Sequence, residues 1–221
     1  CFALYQAIKT KQFMSNFVKP SAFLIVGLIL AVGANSCNLY MTYDYGKDSM
    51  RGKSELTDTK NNKTSGLDKD YATAWSYGIA ETLDLFVPNF MGGASMSKLD
   101  QNTETYKTCK KYGVSDLKNV TKSMPTYWGE QPITSGPVYI GAVVVFLFIF
   151  GLLYVEGIAK WWLAIATLFS ILLAWGHNFM PLTDIFLDYF PGYNKFRTVS
   201  MILVIAEFTM PLLAIFAVKK F

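Results

Sequence analysis

The sequence predicts an all-α polytopic membrane protein, with about four membrane helices and one large, mainly helical or irregular extracytoplasmic loop. Three observations carry this reading. Of 221 residues, 52% are hydrophobic and only 16% are charged, with a mean hydropathy of +0.28. A soluble domain carries about 25% charged residues, so the shortage of charge is the stronger sign. The apolar residues also cluster, at 22–34, 137–155, 161–175 and 198–218, while 41–136 reads as ordinary soluble sequence. Finally, the clusters show no polar stripe, which a core helix of a soluble protein would need.

The first element, 1–19, reads as a cytoplasmic or interfacial segment that starts at Cys1 without a signal-peptide pattern. The chain is therefore expected to be an interior fragment of a larger protein. Residues 20–40 form the first span, with Pro20 in the first turn, where a missing N–H costs nothing. Pro137 opens the second span (137–155), 158–175 is the third and 198–218 the fourth. Lys9, Lys11, Lys19, Lys160, Lys219 and Lys220 flank these spans on one side, so the positive-inside rule puts them in the cytoplasm. The loop 41–136 and the connector 176–197 then lie outside. Tyr139, Tyr154, Trp161, Trp162 and Trp175 sit near span ends, as an aromatic belt would.

Inside 41–136 the aromatic content argues for a folded loop, with a polar stretch at 57–66 as the exception. Asp70 is expected to cap a short helix over 71–77. ETLDLF (81–86) reads as another, stopped by Pro88. MGGAS (91–95) reads as a turn, and the helical spacing of 101–112 ends at Gly113. Cys37 and Cys109 could pair on the oxidising side or remain two unpaired small residues.

The residues that could carry chemistry are few. Glu207 is the one acidic residue inside an apolar span, where a charge costs roughly 2.5–3.5 kcal/mol. It reads either as a proton or ligand site or as a hydrogen-bonded Glu at a helix interface. Pro211 is expected to kink that helix and to free a carbonyl near Glu207. The connector reads as an interfacial helix, a PGY turn and a cation pair at the mouth of span four. The Lys195 and Arg197 pair suits a phosphate beside a helix N-terminus, and snorkelling to lipid headgroups is the competing reading. His177, Asp184, Asp188 and Glu81 are outer-face candidates without an assigned partner. No metal cluster and no C-x-x-C motif stands in the sequence. No cofactor is expected, a divalent metal stays open, and the mixed charge of the loop argues against nucleic acid.

YDYGKDSMRGKSEL, GLDKDYATAWSYGIAETLDLFVPNFMGG, YWGEQPITSGPVYIGA and WGHNFMPLTDIFLDYFPGYNKFRTVSMILVIAEFTMPLLA together resemble the bacterial YfhO-like membrane proteins of Bacteroidetes type. That family is similar to GT-C glycosyltransferases. The resemblance implies a bacterial inner-membrane enzyme that uses a polyprenyl-phosphate-linked sugar to modify an envelope glycopolymer on the outer face. It implies a carrier-phosphate role for Arg197, with Lys195 and Asn194 as weaker partners. The catalytic acid of such enzymes is expected upstream of Cys1, so no catalytic residue is assigned, and the fragment alone is expected to be inactive. A transporter or flippase of envelope precursors, centred on Glu207, and a structural envelope protein with a partner-binding loop are the alternatives.

Overall fold

A computed structural model describes residues 17–49, 51–52 and 66–220. The expectations for Cys1, Lys9, Lys11 and the polar stretch 57–65 lie outside the described residues. The described part is mostly helical, and no strand is present among the described residues. The chain divides into two compact units, Cys1–Leu67 and Asp68–Phe221. The division falls inside the segment read as one loop, because 68–136 packs with the helices that follow it.

The first unit holds α1 (Lys19–Ala34) and α2 (Ser36–Lys47). They form one apolar path bent by 65° at Asn35. The bend has a local cause. Asn35 Nδ2 donates to the Ala31 carbonyl at 2.9 Å, competing with the backbone ladder at the end of α1. The expected span 20–40 is thus two helical pieces that run on to Lys47. Near its end Lys47 pairs with Asp44 at 3.3 Å on an exposed face.

The second unit contains α3 (Lys69–Ala72), α4 (Glu104–Lys111), α5 (Leu117–Val120), α6 (Ala142–Tyr154), α7 (Ile158–Ala174), α8 (Met180–Tyr189) and α9 (Val204–Lys220). Helices α6, α7 and α9 pack together, and α6 and α9 run parallel. Phe148, Val155, Ala206, Met210, Leu213 and Ala217 form their buried core. Small residues set the approach. A Cβ on Gly151 of α6 would stand 3.0 Å from Leu213 Cγ and 3.1 Å from the Leu213 carbonyl oxygen. Between α7 and α9 the Thr167 and Thr209 hydroxyls lie 2.7 Å apart, and each also lies 2.8 Å from the carbonyl four residues earlier. Two hydroxyl protons can make only two of these three hydrogen bonds at a time, so one of the three contacts is always left without a proton.

The expected second span, 137–155, is helical only from Ala142. Its first residues are extended, because the Ile140 and Gly141 N–H groups both donate to the Leu85 carbonyl, at 3.0 and 3.1 Å. Gly141 takes φ +115°, which an L side chain resists. The 13-residue α6 that remains is about 20 Å long, short of the roughly 30 Å hydrocarbon core. Helix α7 begins where expected, at Ile158. At Gly176 (φ +47°) the chain turns by 113° into Gly176–Tyr189, and a Cβ there would collide with Ser76 Oγ. The 3₁₀ turn Val199–Leu203 and α9 form a 22-residue path, Val199–Lys220, long and apolar enough to cross a membrane alone. With each bent pair taken as one span, up to three such paths exist among the described residues. Pro211 sits within α9, which continues to Lys220.

One end of the helices α6, α7 and α9 carries Lys160, Lys219 and Lys220. There Lys220 Nζ donates to the Tyr154 carbonyl at 2.5 Å and to Glu156 at 2.7 Å. This contact holds the Glu156 carboxyl below its usual range. The opposite end is capped by 68–136 and 176–203. Tyr77 N donates to the Ala174 carbonyl at 2.8 Å, Trp175 Nε1 to Thr82 Oγ1 at 3.0 Å, and His177 N to Ser76 Oγ at 2.8 Å. The cap is built from turns and two isolated bridges, Gly92 with Tyr127 and Ser97 with Met124. Its short helices depart slightly from expectation. Asp68, not Asp70, caps α3, accepting from Asp70 N at 2.9 Å. The segment at 81–86 is a 3₁₀ turn, Ala80–Leu85. Thr103 caps α4, and Gly113 follows it at φ +68°.

Candidate functional site

The functional side chains gather on the capped end, in two neighbouring places. The first is a ledge around Arg197. Its guanidinium lies 4.7 Å above the Trp75 ring and 5.9 Å from the Tyr71 ring centre, and Nη1 donates to Tyr71 Oη at 3.0 Å. Stacking fixes a planar cation without consuming its donors, so the guanidinium keeps N–H groups beyond the one given to Tyr71. Asn194 is buried, Lys195 half-buried and Arg197 exposed. Of the three residues expected to hold a phosphate, the structure presents Arg197 most openly and turns Asn194 into the body of the unit.

Asp184 and Asp188 lie one turn apart on α8 and face Lys69. The ammonium is 2.6 Å from Asp184 and 3.9 Å from Asp188. The hydrogen bond from Lys69 to Asp184 raises the lysine above its ordinary value, outweighing burial, which lowers it. Lys69 ties α3 to α8 through these carboxylates, and its single positive charge balances one of the two.

The second place is an acidic pocket. Glu81 is 2% exposed and Asp84 is 1% exposed, and both lie on the 3₁₀ turn Ala80–Leu85. A buried carboxylate survives only when its lone pairs are engaged. Glu81 Oε2 accepts from Gly78 N at 2.6 Å, and Oε1 accepts from the Tyr127 hydroxyl. That hydroxyl in turn accepts from Gln131 N at 2.9 Å. Asp84 accepts from Met91 N at 3.3 Å. Gly129 leaves the space this contact needs, since a Cβ there would collide with both Tyr127 Oη and Glu81 Oε1. Burial, then the bond to Glu81, pushes the Tyr127 hydroxyl well above its ordinary pKa. Burial also raises Tyr77, with Asp84 and Glu81 adding to it.

Around the same turn stand Glu130, His177 and Asn178. A Cβ on Gly78 would stand 3.3 Å from the Glu130 carboxyl carbon and 3.0 Å from Glu81 Oε2, so the two carboxylates flank one glycine. Asn178 Nδ2 donates to Glu130 at 2.6 Å and to the Tyr77 carbonyl at 3.2 Å. His177 Nδ1 is 3.2 Å from the Thr73 carbonyl, which can only accept, so Nδ1 carries the proton. This leaves Nε2 facing Glu130 at 3.8 Å.

A cavity of about 220 Å³ opens beside Glu81, between the cap and the start of the 199–220 path. Its wall includes Tyr77, Tyr127, Gln131, Ser135, Val138 and Ser200.

No family model, curated protein or solved structure matches the chain.

Glu207 lies elsewhere. It is exposed on α9, off the face that buries Ala206, Met210 and Leu213, and has no hydrogen bond or ion pair among the described residues. Cys37 and Cys109 are free thiols. No group of three or more His, Cys, Asp or Glu side chains among the described residues could hold a metal ion. Sequence reading singled out Glu81, His177 and Arg197 but attached no role to Tyr127, Glu130 or Gln131. The motif YWGEQP carries all three, yet its meaning depends on a turn 46 residues earlier in the chain.

Proposed function

We propose that this chain is part of a multi-pass bacterial inner-membrane protein that transfers a sugar from a polyprenyl-phosphate carrier to an envelope glycopolymer on the outer face. Four spans follow the path of α1–α2, 137–155, 158–175 and 198–218. The lysine-bearing end of α6, α7 and α9 faces the cytoplasm, and the capped end faces outward. In this reading Arg197 holds the carrier phosphate.

The observation that carries this reading is the Arg197 ledge. A guanidinium held over Trp75 and beside Tyr71 stands two residues before the path Val199–Lys220, long and apolar enough to cross a membrane. A phosphate arriving from the lipid meets a pre-oriented fork there. The resemblance in sequence motifs points the same way. A second reading, a transporter of envelope precursors, draws on the exposed Glu207 and the bent helix pairs, which fit a discontinuous-helix site.

The test is binding of a polyprenyl phosphate to the intact protein in nanodiscs. Arg197→Ala is expected to weaken binding about tenfold, roughly 1.4 kcal/mol for one charge-assisted contact. Unchanged affinity removes the phosphate role. If wild type does not bind the lipid and Glu207→Gln abolishes substrate movement, the transporter reading replaces it.

A further inference from the structure

We infer that the cavity beside Glu81 is a binding site for a neutral, hydroxyl-bearing ring the size of a monosaccharide. This goes beyond the carrier-phosphate reading and does not rest on it.

The argument starts from size. A cavity of about 220 Å³ exceeds what a trapped water or two requires and accommodates one six-membered ring. The second point is unused polarity. The Gln131 side-chain amide and the hydroxyls of Ser135 and Ser200 line the space and make no hydrogen bond to any described residue. Tyr77, at 1% exposure, is also part of the wall, and its hydroxyl is buried without a partner. Buried polar groups are almost always paired, so the unpaired Tyr77 hydroxyl calls for a partner, and the solvent-reachable amide and hydroxyls of the wall can bond the same polar ligand.

The third point is charge. No lysine or arginine lines the cavity, and Glu81 belongs to the wall with Asp84 behind it on the same turn. A phosphate or carboxylate placed there would meet like charge with no compensation. The two Glu81 oxygens are already occupied by Gly78 N and the Tyr127 hydroxyl, so the carboxylate is poorly placed to pair with an incoming cation. A neutral ligand remains. The last point is shape. Pro137, Val138 and Met201 offer apolar wall, opposite the amide and hydroxyls. A pyranose or cyclic polyol matches this mixture, with C–H faces for the apolar wall and hydroxyls at its edge.

The ledge and the cavity share structure. Ser200 N donates to the Trp75 carbonyl at 3.4 Å, and Trp75 Nε1 donates to the Ile133 carbonyl at 3.1 Å, next to Thr134 of the wall. A ligand in the cavity therefore changes the surroundings of Trp75, which supplies a signal.

The experiment titrates the detergent-solubilised full chain with free glucose, N-acetylglucosamine and inositol. Tryptophan fluorescence and saturation-transfer NMR are the readouts, with glucose 6-phosphate and tetramethylammonium as charged controls. Saturable binding of at least one neutral ring is expected, weakened three- to tenfold by Ser200→Ala and by Gln131→Ala, with the thermal midpoint retained. Arg197→Ala is expected to leave free-sugar binding unchanged, so failure at Arg197 bears on the phosphate reading alone. The inference is overturned if no neutral ring binds saturably, or if both cavity variants bind as wild type does. It is also overturned if either charged control binds more tightly than the neutral rings.

Discussion

Tyr77 shows how a single side chain can report on the whole cap. It is almost fully buried, and burial together with Asp84 and Glu81 raises its hydroxyl above the ordinary value of 10.0. The sign of the pH effect follows. The phenol is neutral in both states below pH 10, so its contribution is fully present there. Above pH 10 the unfolded chain loses this proton first, and folding stability falls by about 1.4 kcal/mol per pH unit. Tyr77→Phe is expected to remove that much of the alkaline slope, measured by denaturant unfolding in detergent across pH 9 to about 11. An unchanged slope would mean that the tyrosine ionises freely in the folded state. At this scale the sequence was partly legible. Glu81 and Arg197 stood out as charges in revealing company. Their partners did not, because Tyr127 and Tyr71 lie 46 and 126 residues away along the chain.

The elements were legible by their apolar runs and less so at their ends. Helix α7 starts at Ile158 as expected, directly after Gly157 at φ +100°. Helix α6 starts five residues later than Pro137 because the Leu85 carbonyl captures the Ile140 and Gly141 N–H groups. No local propensity announces a carbonyl supplied by a distant turn. The α6–α9 contact yields a prediction at this scale. Gly151→Ile places a branched side chain against Leu213 and its backbone, where even a Cβ is close. Overpacking of this kind costs about 1–3 kcal/mol. A lower thermal midpoint is expected, larger than that of Thr209→Val, which loses one interhelical hydroxyl contact worth about 0.6 kcal/mol. Equal midpoints would show that the helices can part freely at Gly151.

For the molecule as a whole, the prediction is topological. In intact cells a membrane-impermeant maleimide should label Cys109, on α4 of the cap, in a Cys37→Ser background. Lys219→Cys, at the opposite end of the helices, should react only after permeabilisation. Labelling of both from one side would remove the two-ended arrangement on which the outer-face site depends. The sequence by itself determined the helical class and the location of the apolar runs. It also placed the lysines at one end of α6, α7 and α9, because composition and periodicity are local properties. The tertiary structure alone decided that Asp184 and Asp188 face Lys69, and that Glu81 and Tyr127 share one pocket wall. It alone decided that Arg197 is held by Trp75. Those contacts join segments far apart in the chain, and their energies come from burial and hydrogen-bond geometry that exist only once the cap has closed over the helices.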